Sequence, residues 1–177
     1  MRVVSLVATV VQTAVVLAAT GALGFVAHQP WLFPSLGPTA VLQATPSEGR
    51  HADPRSALVG HACGIICGCL SVLLVGARDT PGVIASGHLS VPRLAAAVLA
   101  LASTTMAMVL LRSPHAPAAA TTLLFAEGTY EVSARNVLLV IAGIALTVSM
   151  GEVLWIGRLA IGRACAGTEG ANHRTRR

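Results

Sequence analysis

Lysine is absent from this 177-residue chain, aromatic residues make up 3% of it, and charged residues only 11%. Globular proteins carry about 25% charged residues, so a soluble globule of this size would lack the polar surface to cover its core. The same shortage excludes a disordered chain and a coiled coil. No basic face is interleaved with aromatics, which argues against a nucleic-acid partner despite a net charge of +5. The cysteines form no zinc or disulfide signature: Cys63, Cys67 and Cys69 share one apolar run and Cys165 stands apart. No cofactor and no enzymatic activity are expected.

What remains is apolar. The residues AVILMFWYC account for 54% of the chain, joined by 17 glycines. Arginines sit singly at the edges of apolar runs, as membrane-flanking charges do. A bilayer core asks for about 20 apolar residues per helix. Four runs qualify, at 3–27, 56–77, 94–111 and 136–157, bounded by Arg2, Arg55, Arg78, Arg93, Arg112, Arg135 and Arg158. The first is too long for a signal-peptide core and is read as a retained helix.

Two further uncharged stretches, 30–45 and 113–126, are too short to span and are broken by Pro30, Pro34, Pro38 and Gly37, and by Pro114 and Pro117. Each reads as a loop leading into a short re-entrant helix that begins inside the membrane. Irregular backbone at that depth must be shielded by protein or line a wet cavity. The expected fold is therefore all-α: four transmembrane helices plus two short re-entrant ones. A basic tail at 159–177, expected to be flexible and able to rest on anionic headgroups, follows a single membrane domain at 1–158.

A shift of 80 residues brings Pro34 onto Pro114, Arg55 onto Arg135 and Arg78 onto Arg158. This points to a two-fold internal repeat with halves near 1–78 and 79–158, against chance resemblance between apolar segments. Paired broken segments in equivalent places mark the binding site of many transporters. Counting arginines on each face favours six crossings, but segment length favours four with both termini cytoplasmic.

The residues Gly37-Pro38-Thr39-Ala40-Val41-Leu42, then Pro46, Asp53-Pro54-Arg55-Ser56 and Gly60-His61, resemble the first signature of the HPP family of integral membrane proteins. That signature runs Gly-Ala-Ser-Ala-Val-Leu, then Gln-Pro-Arg-Asn, then Gly-His. His115-Ala116-Pro117-Ala118-Ala119-Ala120-Thr121-Thr122-Leu123-Leu124 resembles the naming motif, His-Pro-Pro-Ala-Gly-Ala-Thr-Ala-Leu. The resemblance covers about residues 20–157. Ala116, Ala119 and Ser56 depart from it, which bears on ligand choice. It implies four spanning helices and transport, of nitrite in plant and cyanobacterial members.

The residues themselves offer a site for a small anion. Ser35 or Gly37 can cap the first short helix with Pro38 in its first turn, and Thr39 and Ala40 follow. Ser113 or His115 can cap the second, with Pro117 in its first turn, then Ala118, Thr121 and Thr122. Two such N-termini converging near the midplane would present N–H groups and hydroxyls to an anion. The bland reading is a plug that binds nothing. His61 in the second span is either functional or a neutral imidazole bonded to a carbonyl, while His115 can bind an anion when protonated or shuttle a proton. Arg55 and Arg135 read first as interfacial anchors and second as an anion vestibule; Glu152 reads as a snorkelling or Arg-paired side chain. Gly60, Gly64 and Gly68 form a packing stripe, and Gly143, Thr147 and Gly151 a second. Four helices are few to enclose a pathway, so a homodimer in the plasma or inner membrane is expected. The leading function is a secondary transporter or channel for a small anion. The alternatives are an accessory membrane subunit and, third, a metalloenzyme built on His61, His115 and the cysteines.

Overall fold

The computed structural model describes residues 3–45 and 52–174, with side chains over 5–45 and 52–161. Pro46, Arg50 and the end of the basic tail, Thr175 to Arg177, lie outside the described residues. Among the described residues seven helices follow one another: α1 (Val3–Val26), α2 (Leu36–Ala44), α3 (Pro54–Leu74), α4 (Val83–Ser86), α5 (Val91–Leu110), α6 (Ala118–Ala126) and α7 (Ala134–Arg174). There is no strand among the described residues. Four helices are long and apolar enough to cross a membrane: Ser5–Val26, Pro54–Leu74, Val91–Leu110 and Ala134–Ile161.

Local chemistry sets the ends. Asp53 caps α3, its carboxylate accepting from the N–H groups of Arg55 and Ser56, with Pro54 in the first turn. The Ser56 hydroxyl bond, helped by the two N–H bonds and the Arg55 charge, holds the Asp53 carboxyl below the usual range against the opposing effect of burial. Ser90 caps α5, followed by Pro92. α1 and α5 stop in the same way. His28 and Arg112 adopt left-handed backbone, with φ of 52° and 50°. The next N–H reaches back five residues, from Gln29 to Gly24 and from Ser113 to Met108. This is the Schellman ending, usually served by glycine.

The bundle is apolar outside, and inside it an apolar core that includes Phe33, Leu36, Phe125 and Val140 is threaded with buried polar groups. Gln12, Thr20, Thr39, Gln43, His61, Thr104, Thr121, Thr122 and Thr147 are buried, whereas Val10, Leu74, Val98, Met106 and Val109 are exposed. Hydrocarbon around the helices removes the penalty for those outward side chains. It also forces the polar ones inward toward one another.

Each short helix docks between two longer ones. α6 packs against α3 and α5; α2 packs against α1 and α7. Gly60, Gly64 and Gly68 face α6: a β-carbon at these positions would come within 2.7 Å of His115 Cβ, 2.8 Å of the Ala118 carbonyl and 2.8 Å of the Thr122 carbonyl. Gly143 receives the Phe33 ring and Gly151 the Gln43 carboxamide, while Thr147 meets Thr20. The two small-residue stripes do not meet each other. Each cradles a short segment of the chain.

Candidate functional site

The starts of α2 and α6 come together in the interior, although the two helices do not pack along their lengths. Thr39 Oγ1 donates to the Ser35 carbonyl at 2.8 Å and lies 3.0 Å from His61 Nε2 and 3.3 Å from His115 Nε2. His61 Nδ1 lies 2.8 Å from Thr121 Oγ1, which donates to Ser35 Oγ at 2.8 Å. The two imidazole rings meet edge to face with centroids 4.8 Å apart. Ser35, Thr39 and Thr121 are fully buried, with His61 at 1% and His115 at 6% exposure. The result is one closed chain of hydroxyls and imidazoles. It joins α2, α3, the loop before α6, and α6 itself.

Five of the expected site residues are brought together and the others take different places. Ala40 and Ala118 are buried beside the cluster, Ala118 against Gly60 and Gly64. Thr122 turns away, pairing with Thr104 of α5 at 3.0 Å and donating to the Ala118 carbonyl. Gly37 is half-buried and Pro38 exposed. Neither joins the hydroxyl–imidazole chain.

The caps also differ from expectation. Ser35 does occupy the cap of α2, but helical backbone at that residue keeps its hydroxyl from bonding the first turn. Pro117 caps α6, and Ser113 instead donates to the Leu111 carbonyl. The first three N–H groups of α6 are consumed in tight turns onto the His115, Ala116 and Pro117 carbonyls. Side-chain hydroxyls and imidazoles, rather than free backbone donors, therefore line the meeting point.

Two arginines that read as flanking charges have interior work. Arg93, 5% exposed, donates to Ala126 O at the end of α6 and to Thr80 O and Pro81 O of the preceding loop. Its guanidinium lies against Gly128, whose φ of 76° and lack of a β-carbon leave room for it. Arg158 does the same for α2, donating to Ala44 O at 3.1 Å, to Ser5, and to Gln12 Oε1. A cation at a helix C-terminus complements the dipole and satisfies carbonyls that lack partners. Arg55 and Arg135 are exposed, and Glu152 is half-buried.

His61 also forms part of the floor of a groove of about 280 Å³ between α3 and α7, otherwise lined by apolar side chains such as Leu58, Ile65, Ile141 and Ile144. Among the described residues no three of His, Cys, Asp and Glu gather as metal ligands would, and Cys63, Cys67 and Cys69 are unpaired thiols.

The sequence matches the HPP transmembrane-region family over residues 1–161. The chain belongs to the HPP family. The matched segment takes in every member of the buried cluster and both arginine clamps. No curated protein and no solved structure matches this HPP-family chain.

Proposed function

We propose that the protein carries a small inorganic anion across the membrane, as a secondary transporter or channel, with nitrite the candidate that the family resemblance suggests. Ser35, Thr39, His61, His115 and Thr121 bind and gate the ion. On this reading α2 and α6 are re-entrant segments contributed by two related halves of the chain. The protein sits in the plasma or inner membrane with both termini cytoplasmic, and a homodimer completes the assembly.

One observation carries the reading: polar side chains from separate parts of the chain meet where the short helices begin, and no carboxylate is among them. Burying five such groups costs free energy that apolar residues of similar size would avoid. Hydroxyls and imidazole N–H groups are donors, and the dipoles of α2 and α6 place their positive ends there, so the chemistry favours an anion over a cation. The groups are paired with one another, so passage requires the Thr39–His115 and Ser35–Thr121 contacts to part.

The same mutual pairing supports a second reading, an accessory subunit in which the short helices plug the bundle. Proteoliposomes separate the two. Uptake of nitrite, nitrate, formate and chloride is compared for the wild type, His115→Ala and empty vesicles. Transport predicts uptake of at least one anion above empty vesicles, reduced in His115→Ala. Uptake equal to empty vesicles across the panel would overturn it in favour of the accessory role.

A further inference from the structure

We propose that α2 and α6 each complete a crossing of the membrane, so that the chain passes through it six times as two halves of opposite orientation around one shared site. Both helices begin inside the membrane, but neither turns back to the face from which its leading segment enters. The contacts at the helix ends carry the argument. The Gln29 N–H bonds the Gly24 carbonyl, so residues 27–29 stand at the end of α1, and Pro30 O accepts from the Tyr130 hydroxyl there. Ala44, which ends α2, lies by the start of α1. Its carbonyl accepts from Thr9 Oγ1 at 3.1 Å and from Arg158, which also reaches Ser5 O. Between Pro30 and Ala44 the chain has passed most of the length of a spanning helix. The second half does the same along α5. Ser113 N–H bonds the Met108 carbonyl at the end of that helix, whereas Ala126, which ends α6, accepts from Arg93 at its start.

Length permits this. A nine-residue helix such as α2 or α6 rises about 14 Å, roughly half of a hydrocarbon core of about 30 Å. The irregular residues 27–35 and 111–117, at up to about 3.3 Å each, cover the other half. Phe33, Ser35, Ser113 and His115 in these segments are buried, so protein shields the irregular backbone at depth. Val72, Ala77 and Ala96 pack together with Val132, which sets the end of α3, the start of α5 and the approach to α7 on the face that holds Pro30 and Ala126. The first half therefore runs α1, α2, α3 and the second α5, α6, α7, with every direction reversed. Read along the sequence, six crossings put nine of the 12 arginines on the face of the termini and leave Arg78, Arg93 and Arg135 opposite. That excess makes the face of the termini cytoplasmic. α2 and α6 then run from the buried cluster to opposite faces, so a cation arriving from either side meets two positive helix ends.

Single cysteines probed in intact cells with a membrane-impermeant maleimide test this. The full-length Cys165→Ser chain serves as blank, since Cys63, Cys67 and Cys69 lie within a span. The sites lie outside the helices and are exposed or half-buried. His28→Cys, Asp79→Cys and Thr129→Cys should label in intact cells as fully as after permeabilisation. Ala52→Cys and Leu111→Cys should stay at the blank until the cells are permeabilised. Asp79 shares the face of His28 only if α2 crosses, and Thr129 shares the face of Asp79 only if α6 crosses. Four crossings with turned-back short helices would reverse Asp79, Ala52 and Leu111, and that result would overturn the proposal. Labelling of Ala52→Cys and Leu111→Cys alone in intact cells would overturn the cytoplasmic placement of the termini. Because two sites report on each face, loss of one variant to misfolding leaves the pattern decisive. The labelling is independent of what the site carries, so a failure of anion uptake would leave this result standing.

Discussion

Thr121→Val is the most informative single change to the cluster. Valine keeps the β-branched shape and replaces a hydroxyl with a methyl, so helix propensity and packing change little. The chemistry changes a great deal. Thr121 Oγ1 donates to Ser35 Oγ and meets His61 Nδ1, each at 2.8 Å, and Ser35, His61 and Thr121 are all at most 1% exposed. Stranding a buried polar group costs about 1–3 kcal/mol, so the pair amounts to roughly 2–4 kcal/mol after partial relaxation. At about 2–4 °C per kcal/mol for a chain of this size, the midpoint of thermal unfolding in detergent should fall by roughly 4–16 °C.

The adjacent Thr122→Val supplies the comparison. Thr122 is equally buried, but its partners are Thr104 and the carbonyl of its own helix. Its loss should cost about 1–3 kcal/mol while leaving the imidazole chain intact. Midpoints come from thermal scans, and anion uptake per folded protein comes from proteoliposomes. The reasoning fails if Thr121→Val unfolds at the wild-type temperature. It also fails if the two valine variants reduce uptake per folded protein equally.

Three other outcomes follow from the structure. Arg93→Met strands the Ala126, Thr80 and Pro81 carbonyls and should cost about 3 kcal/mol or more, whereas the half-buried Arg158→Met should cost less; thermal scans order the two. Gly64→Ala would set a β-carbon 2.8 Å from the Ala118 carbonyl and 2.9 Å from Thr122 Oγ1, so it should lower stability by roughly 1–3 kcal/mol and shift α6; a midpoint equal to the wild type would contradict the close approach. Asp53→Ala removes the cap of α3 at about 1 kcal/mol near neutral pH. Because the folded carboxyl titrates below its ordinary value of 3.8, its contribution is complete above that pH and lost as pH falls through the depressed value, so wild type and variant should converge in acid.

The spans are legible because charge is so scarce that each apolar run is flanked by an arginine on at least one side. Proline and glycine marked where helix must stop short of spanning, and α2 and α6 lie within those stretches. Ser35, Thr39, His61, His115 and Thr121 were legible by chemistry alone, since ionisable and hydroxyl side chains at such positions need partners. The interior roles of Arg93 and Arg158 do not show in the sequence. An arginine at the edge of a run looks the same whether it reaches outward to headgroups or inward to a helix end. The local signal for Arg93 was its place just after Ser90 and Pro92, within the first turn of α5. Nothing in the sequence singles out Gln12 and Gln43, yet their amides bond the Gly151 and Val148 carbonyls of α7. Ser35 holds the cap position of α2, while the assignment of Ser113 or His115 to α6 fails because tight turns precede that helix, and pairwise spacing does not distinguish a tight turn from a capped start.

The placement of strong and weak contacts says where movement is cheapest. Each short helix is held at its C-terminal end by an arginine: Arg158 on Ala44 for α2 and Arg93 on Ala126 for α6. Hydrogen bonds from a charged donor are worth about 1.5–3 kcal/mol each, and several converge on each guanidinium. Glycines 60, 64 and 68 add close backbone contact along α6. At their N-terminal ends the helices are joined by hydrogen bonds such as Ser35–Thr121 and Thr39–His115. Neutral bonds of that kind are worth about 1 kcal/mol net. A force that draws the starts of α2 and α6 apart therefore breaks these N-terminal contacts first and leaves the clamped ends in place. On the transport reading proposed above, the hydroxyls and imidazoles released by that opening are the groups that would bind the anion, so opening and exposure of the site would be one event.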